Sequence, residues 1–594
     1  MMGRMMQQKD ETKRVRDVDR QVLRMFAATI RPHLKTLLAA VGAASLVAAA
    51  NIAAPMLTAL AIDRCIIPKN PGGLLWVFLG FIGVYGVYWA ASYASSYLTS
   101  KLGQRVVADI RGDLFRHVSS LSMDYFAESK TGNLVSRIIG DVNTLAEFIS
   151  SGMVHLVGDV ITILGIVAVM FLLNVRLSLV VTITVPLVLA GTSLIGRRMR
   201  KANAAVRQKT ADLNAGVEEN ISGIRVVQAA SRQKDNIDSF EKLNRETMSA
   251  NTKAMLVTAL FFPFMSISGV VGTALVVLAG GIMAAGGGVT IGIITAFLGY
   301  TNRFFMPLRD LSQIYNTYQT AAASAERIHQ MLGIRPAVRP PQNPEKLPLN
   351  GKGPLEFKGV SFAYQGGKDV ITDLNLVIVQ GQTTALVGPT GAGKSTLIKL
   401  LSRLYDPQKG EVSIDGVDIR NLSFKDLRET VMVVPQEVFL FAGSIRENIR
   451  YGKTEASDEE VVQAAKNACA DSFIARLPKG YDTEVGEGGA LLSGGQRQLI
   501  AFARAILADR PVLVLDEATS SVDAATESLI KEALDRLIEG RTTLMIAHRF
   551  TTLQRAQRIA VMENGEIVGY DTHEKLLKTC GLYRDLYEKQ WARV

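Results

Sequence analysis

The residues best placed to do chemistry are Gly388-Pro389-Thr390-Gly391-Ala392-Gly393-Lys394-Ser395-Thr396. They fit G-x-x-x-x-G-K-[ST] and lie between the apolar run Thr384–Val387 and the helical pattern Leu397, Leu400, Leu401, Leu404. Gly388, Gly391 and Gly393 let the backbone bend until successive N–H groups point at phosphate oxygens. Lys394 offers a cation to the terminal phosphates and Ser395 a hydroxyl to magnesium, while the following helix turns its positive end to the anion. This stretch predicts a strand, a phosphate-cradling turn and a helix, with ATP and Mg2+ as the expected ligands.

Two further stretches fit the same chemistry. Val512-Leu513-Val514-Leu515-Asp516-Glu517 reads as a buried parallel strand whose carboxyl end faces a ligand crevice. Asp516 would position Mg2+ and Glu517 would polarise an attacking water. Leu492-Ser493-Gly494-Gly495-Gln496-Arg497-Gln498 opens a helix, and its free N–H groups with the Ser493 hydroxyl make a second phosphate-binding surface. One phosphate loop already serves one ATP. The second surface therefore implies a different ATP and a dimer.

The chain that must position these groups has 594 residues, too many for one core. It is 48% hydrophobic, and six apolar segments near 35–62, 74–99, 149–174, 177–197, 255–284 and 290–312 each approach the ~20 residues that cross a bilayer. Val22, Leu23, Phe26 and Ile30, interleaved with Arg20, Arg24 and Arg31 and stopped by Pro32, read as an interfacial helix. Segments 63–73, 174–176 and 285–289 are short with little positive charge, whereas 100–148 and 198–254 are long, helical in pattern and rich in Lys and Arg. The positive-inside rule then puts both termini and the long loops in the cytoplasm. The net charge of +11 is explained by those loops, so no nucleic-acid partner is expected. Cys65, Cys469 and Cys580 lie too far apart for a disulfide framework or a zinc site.

Six prolines between Pro336 and Pro354 mark a linker. The expected organisation is a cytoplasmic N-terminus with an interfacial helix (1–34), an all-α transmembrane domain of six spans with long cytoplasmic extensions (35–332), a linker (333–354) and an α/β P-loop ATPase domain (355–594). Tyr85, Trp89, Tyr93 and Tyr97 form an aromatic stripe on the second span, read as helix packing and an interfacial belt. Phe261, Phe262, Phe264 and Met265, with Phe297, Tyr300, Phe304 and Phe305, pose the same choice between packing and cargo contact. Asp159 and Arg303 would each cost ~2.5–3.5 kcal/mol facing lipid mid-span, so they are candidates to border a substrate cavity.

The phosphate loop, Leu492–Gln496 and Asp516-Glu517, in that order and spacing behind six spans, make the whole chain resemble the ABC transporter family, in particular its half-size exporters. The resemblance implies that Tyr364 stacks on adenine, that Gln436 contacts Mg2+ and the water, and that His548 holds the terminal phosphate. Asp523 in Ser521-Val522-Asp523 would belong to a loop crossing the dimer interface. Thr483–Glu487 resembles an exporter-specific loop, which disfavours an importer, and Met123–Phe126 and Thr210–Gly216 would be the tips of the two cytoplasmic loops. The implied catalytic set is Glu517, His548, Gln436 and Lys394. Nucleotide would be held by Tyr364, the loop 388–396, Asp523 and Ser493, Gly494, Gly495 and Gln496, and Mg2+ by Ser395, Gln436 and Asp516.

The implied activity is ATP-driven export of a hydrophobic or amphipathic molecule, drug-like or lipid, by alternating access across a plasma membrane, the inner membrane of a bacterium. A second half-transporter is the expected partner. Intact Glu517, Ser493–Gln496 and His548 argue for a homodimer over a heterodimer. An ATP-gated channel of the same architecture is the alternative. The six spans argue against a soluble ABC ATPase, and no peptidase domain precedes them, which disfavours leader-cleaving peptide exporters.

Overall fold

The computed structural model describes residues 27, 29–364, 367–516, 524–547 and 550–590. They form two units: one holds the described residues up to Val118 and Gly132–Gly333, the other Ser119–Thr131 and Ile334 onward. The interfacial helix expected around Val22–Phe26 lies outside the described residues.

The first unit is helical. Its principal helices are α1 (Leu34–Ala61), α2 (Pro71–Ser119), α4 (Met153–Leu173), α5 (Val175–Thr182), α6 (Thr184–Ser222), α7 (Gln233–Ala259), α8 (Phe261–Ala285) and α9 (Ile291–Leu332); α3 (Met123–Glu128) falls in the second unit. Among the described residues, five helical stretches are long and apolar enough to cross a membrane: Arg31–Ile66, Pro71–Ser119, Thr131–Leu173, Val175–Ser222 and Gln233–Ala285. The sixth expected span lies in α9, which has the length at 42 residues but is not in that set. Thr301, Asn302 and Arg303 interrupt its apolar run and lower its hydropathy.

The long basic segments are continuations of the spans, as their helical spacing predicts: α2 runs unbroken for 49 residues. One expectation is corrected. Thr210–Gly216 is not a loop tip but lies inside α6, and the turn comes at residues 223–232, after the Gly223 cap. Asn214 and Gly216 resemble helix breakers, yet a Cβ at Gly216 would come within 2.9 Å of the Leu243 side chain. The glycine is there to let α6 and α7 approach. The pair is tied further by Lys209 Nζ to Glu246 (2.7 Å) and by Thr247 Oγ1 donating to the Lys209 carbonyl (3.1 Å).

Helices α1 and α9 meet just as closely. A Cβ at Gly292 would lie 2.5 Å from the Ala59 carbonyl oxygen, and one at Gly299 would lie 3.1 Å from Pro55. Small residues at such contacts are what brings membrane helices together. Asp63 closes the N-terminal end of α9: its carboxylate accepts from the Gly292 N–H (2.9 Å) and the Thr290 hydroxyl (2.5 Å), satisfying the exposed helix start. Lower down, the fully buried Tyr300 donates its hydroxyl to the Ile52 carbonyl (2.8 Å). Phe297 and Tyr300 are core rings, whereas Trp89 and Tyr93 of the aromatic stripe stack on the exposed face of α2. The Phe305 side chain lies outside the described residues.

The second unit carries a four-stranded antiparallel sheet, order β2-β1-β4-β5, and a six-stranded sheet, order β10-β9-β3-β8-β7-β6. The strands are β1 (Leu355–Ala363), β2 (Asp369–Ile378), β3 (Thr383–Val387), β4 (Lys409–Ile414), β5 (Val417–Asp418), β6 (Val431–Val434), β7 (Val512–Asp516), β8 (Thr542–Ile546), β9 (Arg558–Glu563) and β10 (Glu566–Asp571). Because side chains alternate along a strand, the larger sheet divides two cores. Ala385, Val387, Leu513, Leu515 and Met545 face one, and Leu386, Val512, Val514, Leu544 and Ile546 face the other.

The close approach of α1 and α9 makes a prediction. Gly292→Ala should destabilise the chain by about 1–3 kcal/mol through overpacking against backbone, read as a lower thermal unfolding midpoint in detergent. Gly281→Ala, whose Cβ would meet nothing within 4 Å, should leave the midpoint in place.

Candidate functional site

Four parallel strands, β3, β8, β7 and β6, end on one edge of the larger sheet. Their register aligns Leu386 with Ile546, Ile546 with Asp516, and Leu515 with Val434. The phosphate loop, Asp516 and Gln436 therefore emerge side by side within two residues of one row. Glu517, Asp523 and His548 lie outside the described residues.

The loop's glycines are there because its backbone needs them. Gly391 and Gly393 take φ of 85° and 101°, and a Cβ at Gly388 would overlap the Met562 carbonyl oxygen. The loop leads into the helix α10 (Lys394–Leu401), with Gly393 as its left-handed cap. Pro389, Thr390, Gly391 and Ser395 are exposed, while Ala392, Lys394 and Thr396 are buried. The Lys394 ammonium folds onto the loop and donates to the Gly388 (2.7 Å) and Pro389 (2.9 Å) carbonyls. A cation held there lies at the centre of the turn that phosphates would occupy.

Tyr364 reaches the same loop. Its hydroxyl pairs with Thr396 Oγ1 at 3.1 Å, and Lys399 Nζ lies 5.4 Å from its ring centroid. Phe362 and Tyr405 hold the ring edge-on at 5.0 and 5.4 Å. Sequence reasoning missed Lys399 and Tyr405. Lys399 follows Thr396 by three residues on a helix, the only local signal, and Tyr405 carries none.

Tyr405 has a second neighbour. Residues 119–131 are part of this unit, and the Ser122 hydroxyl accepts from the Val338 N–H at 3.0 Å. Burial and then the Asp124 carboxylate push the Tyr405 phenol above its ordinary pKa, and burial with Glu128 likewise raises that of Asp124. The expected loop tip Met123–Phe126 is thus α3, and its acid is electrostatically coupled to a ring packed on Tyr364.

Ser493 caps the helix α13, which we define with its neighbours α11 (Ile445–Arg450) and α12 (Asp458–Asn467) as Gly494–Ala508. Its hydroxyl accepts from the Gln496 N–H (3.3 Å) while Gln496 Oε1 accepts from the Ser493 N–H (3.0 Å), a reciprocal capping box. Ser493 and Gly494 are exposed, with nothing within 4 Å of the Gly494 Cβ position. Half-buried Arg504 ties this helix to α11 by donating to the Asn448 carbonyl at 2.9 Å, and desolvation lowers its pKa. Leu499, Ile500 and Phe502 pack in the Val387–Leu515 core, whereas Leu397, Leu400 and Leu401 pack in the opposite one. The helices that begin at Lys394 and after Ser493 therefore pack on opposite faces of one sheet.

Gln436 is exposed just beyond β6, and the segment after it is stitched to the Thr483–Glu487 loop. Val485 N–H donates to the Gly443 carbonyl (3.0 Å) and Ile445 N–H to that of Thr483 (3.0 Å). In the helical unit, Arg303 lines a cavity of about 320 Å³ between α1, α2 and α9. Asp159 is not among its walls, and Asp159 Oδ2 is buried without a hydrogen-bond partner among the described residues.

Residues 37–308 match the family described as the ABC transporter transmembrane region, and residues 371–520 that described as ABC transporter. An ATP-dependent lipid A-core flippase of Syntrophus aciditrophicus (strain SB) is 36% identical over 94% of this chain and 93% of its own. A fatty acid ABC transporter ATP-binding/permease protein of Mycobacterium tuberculosis is 40% identical over 83% and 77%. A solved bacterial Atm1-family ABC exporter with ATP bound superposes with a TM-score of 0.78 at 26% identity, over 95% of this chain and 99% of that one.

The loop geometry separates two glycines experimentally. Gly388→Ala should weaken nucleotide binding at least ~10-fold, since its Cβ meets backbone that cannot yield. Gly391→Ala, which meets nothing within 4 Å, should carry its positive-φ cost of ~1–2 kcal/mol as lost folding stability and keep a higher nucleotide affinity than Gly388→Ala. Equal affinities of the two variants for a fluorescent ATP analogue would contradict this.

Proposed function

The chain belongs to the ABC transporter family, and on that basis we propose that two copies of it form an ATP-driven exporter of hydrophobic or amphipathic molecules. The observation that carries the reading is the arrangement of the two phosphate-binding helix starts. The helices that begin at Lys394 and after Ser493 pack on opposite faces of the sheet, so one chain's loop and another chain's Ser493–Gln496 together would enclose each ATP. The lipid A-core flippase and fatty acid relatives favour a lipid-like cargo. The intact Ser493–Gln496 favours two equivalent sites and a homodimer.

Hydrolysis needs an in-line water and neutralised phosphate charge. Lys394 would exchange its loop carbonyls for the terminal phosphates, Glu517 would orient and deprotonate the water, and His548 would hold the γ-phosphate against it. Tyr364 would stack on the base. Ser395, Asp516 and Gln436 are an all-oxygen donor set of the kind Mg2+ prefers. Bound there, the ion would offset charge on the phosphates.

Enclosing ATP between chains must also move the membrane helices. Shifting a two-state equilibrium from 1:99 to 99:1 takes about 5.5 kcal/mol. Hydrogen bonds to charged groups contribute roughly 1.5–3 kcal/mol each, so two to four new phosphate contacts suffice. Loss of the γ-phosphate would then reset the cycle, with both termini and the ATPase unit in the cytoplasm.

Glu517→Gln should retain ATP binding and dimerise with ATP while turnover falls at least ~100-fold. Near-wild-type turnover would remove Glu517 from its role. In inside-out vesicles the wild-type chain should accumulate cargo against its gradient only with hydrolysable ATP. A flux that ATP merely switches on, always downhill, would establish the channel instead.

A further inference from the structure

Arg303 lies twelve residues into α9, about 18 Å from its outer end and so near mid-bilayer. Its Nη1 donates to the Asn51 carbonyl (2.6 Å) and to Asn51 Oδ1 (2.9 Å), both neutral acceptors. Among the described residues, Nε and Nη2 have no hydrogen-bond partner and no carboxylate pairs with the guanidinium. The walls around it are polar without being acidic: Thr58, Thr295, Asn302 and the Tyr85 ring. A cation at that depth needs polar partners or a watery cavity, and no described residue of its own chain gives it an anionic partner.

The space beside it has a matching shape. Phe81 lines the Arg303 cavity and also a second, larger one of about 450 Å³ between the outer parts of α1 and α2. That second cavity is walled by apolar side chains, among them Leu74, Leu75 and Phe78. The two adjoin at the Phe81 side chain, giving an open cleft surface that is polar and cationic at one end and apolar along the other.

We propose that this cleft binds an amphiphile with a compact anionic headgroup, a carboxylate or a phosphate monoester, as the transported cargo. The guanidinium's remaining N–H groups present the planar fork that takes two oxygens of such a group at once. The apolar tail lies along Phe81, Phe78 and Leu74. That the ligand is cargo rests on the exporter reading; that it binds here does not.

The test uses the full chain in phosphatidylcholine nanodiscs, with empty nanodiscs subtracted, at a pH that keeps the acids ionised. Tritiated oleate is displaced by unlabelled oleate, oleyl phosphate or oleyl alcohol. Oleate or oleyl phosphate should displace at least about ten-fold more effectively than the alcohol, the scale of a charge-assisted hydrogen bond. The stronger of the two acids identifies the headgroup. Arg303→Gln should lose this preference and Arg303→Lys should keep part of it. Equal displacement by the alcohol on the wild-type chain would overturn the proposal even if no variant folds, as would an acid preference that survives in Arg303→Gln. ATP-driven vesicle uptake that ignores the headgroup would overturn the cleft assignment and leave the exporter reading intact. Arg303-dependent binding without ATP-driven uptake would do the reverse.

Discussion

A strand buried on both faces must serve two cores with alternate residues, and the catalytic half of this protein depends on that constraint. Val387, Leu515 and Met545 hold the helix that begins at Ser493, while Leu386, Val514 and Ile546 hold the helix that begins at Lys394. Each helix start is sound by itself: one has its capping box, the other its left-handed glycine. Neither can turn to meet the other without inverting a strand. That the two helix starts face away from each other follows from the pleat.

The membrane half solves a different problem. Apolar burial gives little preference for one helix partner over another in lipid, so contacts there depend on small residues and on hydrogen bonds. Gly292 and Gly299 bring α1 to α9, and Asp63, Tyr300 and Arg303 each bond across that seam. Arg303, one of the residues that join the helices, lies in the polar run Thr301–Arg303 that keeps α9 below the hydropathy of the other five stretches. What weakens it as a span by composition is what locks it in place.

The features written in a contiguous stretch were legible in the sequence: the phosphate loop, the Val512–Asp516 strand, the capped helix at Ser493 and the apolar runs of the spans. Their meaning lies in local backbone demands, and residue type reports those directly. Long-range contacts were not legible. Gly216 looks like a turn residue because nothing nearby in the chain shows that Leu243 will press on it. Tyr405 becomes part of the nucleotide region only because β1 lays Phe362 and Tyr364 beside it. The charge of Arg303 was visible; that its partner would be Asn51, a neutral amide some 250 positions away, was not.

The α1–α9 seam has a mechanical consequence. Its bonds run from Asp63 at the start of α9, through the two glycine contacts, to Ile52 and Asn51 farther along α1, so the paired helices behave as a laminate of two plies. Such a plate can tilt as a body but cannot split along its length without exposing several polar groups to lipid. Any breathing of the cleft beside Arg303 must then come from α2, the one wall outside the plate.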